Sequence, residues 1–98
     1  MIEAFQYINK AFESKVRLGI MAILMVNEEA DFNFLKEQLS LTDGNLASHT
    51  RALEELGYIV CNKSVDGRKP RTVGQATPQG REAFKSHIEA LEKFLKSK

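Results

Sequence analysis

The 98-residue sequence predicts a mainly α-helical fold with one small β-hairpin (α+β), built as a single domain over 1–98. Three observations support this prediction. Apolar residues recur every three or four positions as far as Leu56, which is the spacing of amphipathic helices. Strand-forming residues replace that spacing over about 58–76, on both sides of the turn pair Asp66-Gly67. Helical spacing returns over 77–96, so we expect helices on both sides of the hairpin.

The composition restricts the class of protein. An apolar fraction of 43% is enough for one core, and a formal net charge of +1 means that any nucleic-acid contact must come from locally concentrated charge. The lone cysteine, Cys61, excludes an internal disulfide and suits a reducing compartment. The N-terminal residues do not have the pattern of a signal peptide, and the longest apolar run, 18–26, is too short to cross a membrane. We therefore expect a soluble, cytoplasmic protein with no membrane partner.

Four helices are predicted before the hairpin, over about 2–12, 14–26, 33–40 and 42–56. Ser14 and Asn33 are the expected N-caps of the second and third helices. Phe34 is expected to point inward, and a very short strand is expected just before it, at Asp31-Phe32. Because only a short turn joins the third and fourth helices, the pair has the spacing of a helix-turn-helix.

The fourth helix has the most clearly marked ends. Thr42 can accept a hydrogen bond from a first-turn N–H, Asp43 places a carboxylate at the positive end of the helix dipole, and Gly57 ends the helix. Its outer face carries Gly44, Ser48, Arg51 and Glu55. In a DNA-binding protein these side chains would belong to a recognition helix, with its early turns at base edges. An ordinary amphipathic helix with a solvated polar face has the same pattern, and this segment alone favours neither interpretation.

The hairpin has a concentrated positive charge around its tip. Four basic residues, Lys63, Arg68, Lys69 and Arg71, stand against the single acid Asp66, which gives +3 over 63–71. Such local charge is typical of a phosphate-binding surface, although charges at a strand edge also serve to prevent aggregation. The occurrence of the two features in tandem favours phosphate binding. The return strand, about 72–76, is expected to be weak because a glycine interrupts it.

The last helix, about 77–96, opens with Thr77-Pro78, a cap followed by proline at the first helical position. Its apolar residues form a narrow stripe like a coiled-coil surface. The stripe could pack on the domain's own core. However, the first helix offers a second stripe, and one small core can hardly cover both. We therefore expect a homodimer whose interface is formed by Ile2, Phe5, Ile8, Phe84, Ile88, Leu91 and Leu95.

The order of these elements is that of a winged helix-turn-helix, and 14–83 resembles the small winged-helix transcriptional regulators related to the MarR and ArsR groups. The matching segments are Ser14-Lys-Val-Arg-Leu, Asp31-Phe-Asn-Phe-Leu-Lys-Glu, Leu41-Thr-Asp-Gly-Asn-Leu-Ala-Ser-His, Leu53-Glu-Glu-Leu-Gly-Tyr-Ile, Gly67-Arg-Lys-Pro-Arg-Thr and Thr77-Pro-Gln-Gly-Arg. The resemblance implies a dimeric regulator that binds specific sequences of double-stranded DNA through a recognition helix, 42–56, and a wing around Gly67. The DNA-binding residues expected from the helix and the wing are Thr42, Gly44, Asn45, Ser48, His49, Arg51, Lys63, Arg68, Lys69 and Arg71.

Two positions depart from the pattern of these regulators. Thr50 stands where an aliphatic core residue is usual, and Val73-Gly-Gln-Ala stands where an unbroken run of β-branched and aromatic residues is usual. The first departure predicts a slightly under-packed recognition helix. The second predicts a mobile or shortened wing strand.

No motif for catalysis, metal binding or a cofactor is found. His49 and His87 are far apart, and the cysteine pairs used by metal sensors related to ArsR are missing, since Cys61 is alone. His49 is expected to be a packed, hydrogen-bonded histidine that could still reach a phosphate, and Cys61 a small buried hydrophobic residue. We therefore expect no enzymatic activity, metal or cofactor, and nothing in the sequence indicates a particular small-molecule effector.

Two other functions are compatible with the same fold. The predicted recognition helix carries Asp43, Glu54 and Glu55 against one arginine, a charge balance that suits a protein-interaction module better than DNA. Against this, Glu54 and Glu55 lie late in the helix, beyond the turns that usually enter the groove. The wing alone could also bind double-stranded RNA, or DNA without sequence preference.

Overall fold

The computed structural model describes the backbone of residues 2–96 and all of their side chains except those of Ile2 and Asp66. The helices are α1 (Ile2–Gln6), a 3-10 helix (Lys10–Glu13), α2 (Lys15–Val26), α3 (Phe32–Leu39), α4 (Asp43–Glu55) and α5 (Pro78–Lys96). The strands are β1 (Ala30–Asp31), β2 (Ile59–Asp66) and β3 (Lys69–Ala76). The predicted fold class, mainly helical with a small β-hairpin, is confirmed.

The three strands form an antiparallel sheet in the order β1-β3-β2. β2 and β3 pair along their whole lengths, from Ile59 opposite Ala76 to Asp66 opposite Lys69. The prediction of a weak return strand over 72–76 is therefore wrong. Gly74 does interrupt the run of strand-forming residues, but it pairs with Cys61 on one side and with Ala30 on the other. Partners on both sides hold this part of β3 regardless of its low intrinsic preference.

The single helix predicted over 2–12 is broken into α1 and the 3-10 helix, and Asn9 explains the break. Its side-chain oxygen accepts from the Ala11 backbone N–H (2.9 Å), so that it caps the second segment. Its side-chain nitrogen donates to the Tyr58 hydroxyl (3.0 Å), and its backbone N–H donates to Nδ1 of His87 (2.9 Å). These contacts to distant residues hold Asn9 in an extended conformation and override the local helical spacing.

The predicted caps of α2 and α4 are confirmed, whereas the cap of α3 is wrong. Ser14 Oγ accepts from the Arg17 N–H, and Thr42 Oγ1 accepts from the Asn45 N–H. α3 is capped by Asp31, not Asn33: the Asp31 carboxylate accepts from the Asn33 N–H at 2.7 Å. 

This earlier start of α3 moves two neighbouring predictions. The very short strand lies at Ala30–Asp31, one residue before the predicted Asp31-Phe32. Phe34, expected to point inward, is 44% exposed, and Leu35 occupies the buried position of α3 instead.

The core lies between α2, α4, the sheet and the first half of α5. Its fully buried side chains are Ile20, Met21, Leu24, Leu35, Leu53 and Ile59. Thr50 is buried among them, and its hydroxyl donates to the carbonyl oxygens of Leu46 (2.8 Å) and Ala47 (3.1 Å). The hydroxyl is thus satisfied within α4, and the expected under-packing at Thr50 is not observed.

α5 is fastened to the start of β2 by a close backbone approach. A Cβ at Gly80 would collide with the carbonyl oxygen of Tyr58, so this position of α5 requires glycine. The Thr77 N–H donates to that same carbonyl (3.0 Å), and the Thr77 hydroxyl donates to the Gly57 carbonyl (2.6 Å). These contacts tie the last helix to the C-terminal end of α4.

Candidate nucleic-acid interface

α4 presents its early turns to solvent while its other side is held in the core. Leu46, Thr50 and Leu53 are buried, whereas Gly44 and Ser48 are exposed. Its first turn also carries an ion pair, since Nζ of Lys36 lies 2.9 Å from Oδ1 of Asp43. One of the three acids that count against DNA binding by α4 is therefore matched by a lysine of α3.

The predicted helix residues come together on one exposed surface. Gly44, Asn45, Ser48 and Arg51 are all exposed and share the solvent side of α4. A Cβ at Gly44 would meet no protein atom within 4 Å, so the space above this residue is open. Thr42 lies beside them, but its hydroxyl accepts from the Asn45 N–H as the helix cap. 

A groove of about 230 Å³ separates α4 from the hairpin. Arg51 and Glu54 line it from the helix, and Lys63, Thr72 and Cys61 line it from the two strands. Burial raises the pKa of the Cys61 thiol to about 11, and the neighbouring Glu54 carboxylate adds to the effect. The thiol is therefore protonated and unreactive near neutral pH. Arg51 and Lys63 place two positive charges in this groove against one carboxylate.

At the tip of the wing, formed by β2 and β3, two of the predicted basic residues are exposed. Gly67 adopts a positive φ of 67°, which closes the tight turn, and Arg68 and Lys69 follow it on the surface. These charges are presented to solvent at the end of the hairpin.

Arg71, in contrast, belongs to the base of the wing and not to its tip. Its Nε–H donates to Oδ2 of Asp31 at 2.8 Å. That hydrogen bond, together with the one from the Asn33 N–H, holds the pKa of the Asp31 carboxyl below its usual value. The prediction that Arg71 sits on a mobile basic tip is therefore wrong. The sequence analysis missed Asp31 as its partner because 40 positions separate the two residues.

His49 lies at the rim of the core, as predicted, and has an unexpected partner. The Nε–H of Arg17, in the first turn of α2, donates to Nδ1 of His49 at 3.2 Å. Both residues are half-buried. No local pattern in the sequence marks Arg17, which reaches α4 only in the folded chain.

The predicted dimer residues do not form one continuous exterior stripe. Phe84 is 9% exposed and packs edge-on against Phe12 in the core, with ring centroids 5.4 Å apart, so its assignment to an interface is wrong. Ile88 is half-buried and packs against the same core, and Ile8 and Leu91 are also half-buried. The side chain of Ile2 lies outside the described residues.

α1 packs on α5 of the same chain, which covers part of both apolar stripes. The rings of Phe5 and Phe94 meet edge-on at 5.9 Å. Three large apolar or aromatic side chains nevertheless stay largely exposed at this end of the molecule: Phe5 (62%), Tyr7 (69%) and Leu95 (83%).

One buried titratable group lies away from the α4 surface. His87 is 3% exposed, accepts from the Asn9 N–H and packs against the Phe12 ring, and its burial lowers its pKa. Among the described residues, no group of His, Cys, Asp and Glu side chains is arranged to hold a metal ion. None of the helices described above is long and apolar enough to cross a membrane.

Comparison with known proteins gives consistent matches. The model of the winged helix DNA-binding domain family matches residues 16–95. The uncharacterized protein MJ0432 of Methanocaldococcus jannaschii is 47% identical over 79 residues, which are 81% of this chain and 86% of that protein. The structure of a transcriptional regulator homologue from Pyrococcus horikoshii OT3 matches with a TM-score of 0.87 at 35% identity, over 97% of this chain and 95% of that one. The crystal structure of MarR has a similar fold, with a TM-score of 0.73 at 18% identity over 84% of this chain and 59% of MarR.

Proposed function

This chain belongs to the family of winged helix DNA-binding domains, and from that premise we propose that it is a transcriptional regulator that binds specific double-stranded DNA sequences as a homodimer. The observation that carries sequence specificity is the exposed side of α4, where Asn45, Ser48 and Arg51 stand beside the open space above Gly44. Such a surface has the hydrogen-bonding groups and the low profile that entry into a major groove requires.

The side chains of α4 have chemistry suited to base edges. An arginine such as Arg51 can bind O6 and N7 of guanine with two hydrogen bonds, and an asparagine such as Asn45 can do the same with N6 and N7 of adenine. Ser48 can donate to or accept from several bases. Because α4 is anchored by buried Leu46 and Leu53, these groups are held in fixed positions for such contacts.

The wing is proposed to bind phosphates. Lys63, Arg68 and Lys69 are exposed along the hairpin, beside the groove that α4 borders. Contacts of this kind add affinity for every duplex and fix the orientation of the protein without reading its sequence. 

Homodimerisation is proposed to use the end of the molecule where α1 packs on α5. Phe5, Tyr7 and Leu95 leave apolar surface exposed there, which is a common property of protein–protein interfaces. Replacing Phe5 and Leu95 together with lysine should give a folded monomer in sedimentation runs, because neither side chain belongs to the core. A wild-type chain that sediments as a monomer at micromolar concentration would refute the dimer.

DNA binding is tested by titrating fluorescent duplexes with the protein at several salt concentrations. A sequence selected from random DNA should bind more tightly than a scrambled duplex of the same length, and a dimer should require two inverted half-sites about 10 base pairs apart. Equal binding to both duplexes would refute sequence specificity and leave phosphate contacts through the wing. Binding to double-stranded RNA of either sequence is measured alongside.

A second candidate is a protein-interaction module, and one observation favours it. Glu54 and Glu55 are exposed at the end of α4 and would lie close to DNA phosphates if the whole helix entered the groove. Absence of binding to any duplex at low salt would favour this alternative. Replacing both glutamates with glutamine should strengthen DNA binding only modestly if, as proposed, the early turns of α4 make the contacts.

A further inference from the structure

The two flanks of α4 have different neighbours. One flank faces the wing across the groove that Arg51, Glu54 and Lys63 line. The other flank faces the start of α2, where Arg17 and Leu56 line a second open groove together with Lys10 and Glu13. If the exposed side of α4 lies in a major groove, each flank comes near one of the two phosphate strands that border that groove.

Arg17 differs from the other paired arginine beside the site in the kind of group that it contacts. Arg71 donates to a carboxylate, Asp31, so its charge is matched within the protein. Arg17 donates through Nε to Nδ1 of His49, and within residues 2–96 no ion pair is found between Arg17 and a carboxylate. A hydrogen bond to an imidazole nitrogen acceptor leaves the charge of the guanidinium uncompensated.

The geometry of this hydrogen bond also leaves the right donors unused. An arginine has five N–H groups, and the bond to His49 uses the one on Nε. The terminal nitrogens, Nη1 and Nη2, carry the other four. A guanidinium presents such groups as a fork that matches two oxygens of a phosphate. Because His49 is half-buried on α4, it fixes the direction in which Arg17 leaves α2.

We propose that Arg17 is a further DNA-contacting residue, and that His49 is the positioning residue which holds its guanidinium toward a backbone phosphate on the flank of α4 opposite the wing. This inference rests on the DNA binding proposed above. It assigns the two flanks equivalent tasks: Lys63 and Arg68 grip one strand, and Arg17 grips the other. α4 is thereby centred between two phosphate contacts.

The first test compares salt dependence among single variants. Arg17→Gln should lower the affinity for the selected and the scrambled duplex by the same factor and reduce the salt slope by about 0.9, the contribution of one phosphate contact to double-stranded DNA. Arg81→Gln is the matched control, because Arg81 also donates to another helix, at the Met25 carbonyl (3.2 Å), eight residues further along α2. It should leave affinity and slope unchanged. Thermal unfolding of each variant is measured in parallel.

The second test asks whether His49 acts through Arg17. His49→Phe keeps a planar ring but removes the acceptor, so it should weaken binding in the wild-type background and have no further effect in Arg17→Gln. Should Arg17→Gln fail to fold, Arg17→Lys replaces it. The lysine keeps the charge, lacks the Nε donor to His49, and should make binding insensitive to His49→Phe.

Three results would overturn the inference. Arg17→Gln with the wild-type salt slope would make Arg17 only a tie between α2 and α4, and Arg68→Gln with a reduced slope would show that DNA binding itself stands. Additive losses from Arg17→Gln and His49→Phe would refute the positioning role. A wild-type chain that binds no duplex would overturn both this inference and the proposed function.

Discussion

α4 and the wing are held by the rest of the molecule in opposite ways. Three residues of α4, Leu46, Thr50 and Leu53, are each at most 3% exposed, and the helix is capped at its start by Thr42. Over 62–71 of the wing, every described side chain is exposed, and β2 and β3 rely mainly on each other. A contact to a base edge requires a side chain fixed to within a hydrogen-bond distance, whereas a phosphate can be met from many directions. The difference in anchoring therefore predicts a difference in task.

The largest difference should appear in stability. Leu53→Ala removes a side chain that is fully buried, and should cost about 2–5 kcal/mol of unfolding free energy. Val65→Ala in the wing, where the side chain is 71% exposed, should change stability by less than about 0.5 kcal/mol. Urea unfolding of the two variants checks this. Equal losses would mean that the wing is as firmly packed as α4.

The next difference should appear in binding to the best DNA sequence. Alanine at Asn45 or Arg51 should cost about 1–3 kcal/mol on that sequence, because each side chain can form two hydrogen bonds with one base. The same variants should lose little affinity for scrambled DNA. Fluorescence anisotropy with the two duplexes measures both values, and an equal loss on both would contradict base contacts from α4.

Gly44→Ala isolates the approach of α4 to its ligand. A Cβ at this position meets no protein atom within 4 Å, and alanine in a helix is more stable than glycine by up to about 1 kcal/mol. The variant should therefore be at least as stable as the wild type but bind DNA more weakly, since the added methyl group separates the helix from the bases. A variant with unchanged affinity would show that Gly44 does not face the duplex closely.

Variants of the wing tip should have smaller and uniform effects. Arg68→Ala should weaken binding to every duplex similarly and lower the salt slope by about one, because one phosphate contact is lost. Binding is measured between low and physiological salt on selected and scrambled DNA. A change in the preferred sequence would assign base contacts to the wing.

The smallest effect concerns the ion pair at the base of the wing. Because the pKa of Asp31 is lowered in the folded state, its pair with Arg71 stabilises the protein above the ordinary carboxyl pKa of 3.8 and loses this effect as the pH falls through the lower folded value. The pair is partly exposed, so Asp31→Asn should cost less than about 1 kcal/mol near neutral pH. The difference between variant and wild type should vanish in acid; a difference that persists there would point to the cap of α3 instead.

Sequence patterns predicted most of the fold because they are local. The caps at Ser14 and Thr42, the apolar spacing of α4 and the turn at Gly67 involve neighbouring residues, and the structure confirms all of them. The resemblance to MarR-type winged-helix regulators is confirmed by the family model and by the structural neighbours. Long-range contacts account for the errors. Asn9 breaks the first helix by bonding to Tyr58 and His87, which no local pattern reveals.

The candidate site could be predicted in part for the same reason. The exposed side of α4 follows from helical periodicity, and all of Gly44, Asn45, Ser48 and Arg51 lie on it. Arg71 and Arg17 could not be assigned in this way, because their partners, Asp31 and His49, lie 40 and 32 positions away. Charge along the sequence shows where basic residues occur, but only the fold shows which of them already have a partner.

The division of tasks between α4 and the wing is tested most directly by selecting bound sequences from a randomised duplex library with three proteins. These are the wild type, Arg51→Ala and Arg68→Ala. The wild type should enrich an inverted repeat, Arg51→Ala should lose preference at particular positions within each half, and Arg68→Ala should enrich the same repeat as the wild type with a lower yield. The account is contradicted if Arg68→Ala selects a different sequence while Arg51→Ala selects the original one.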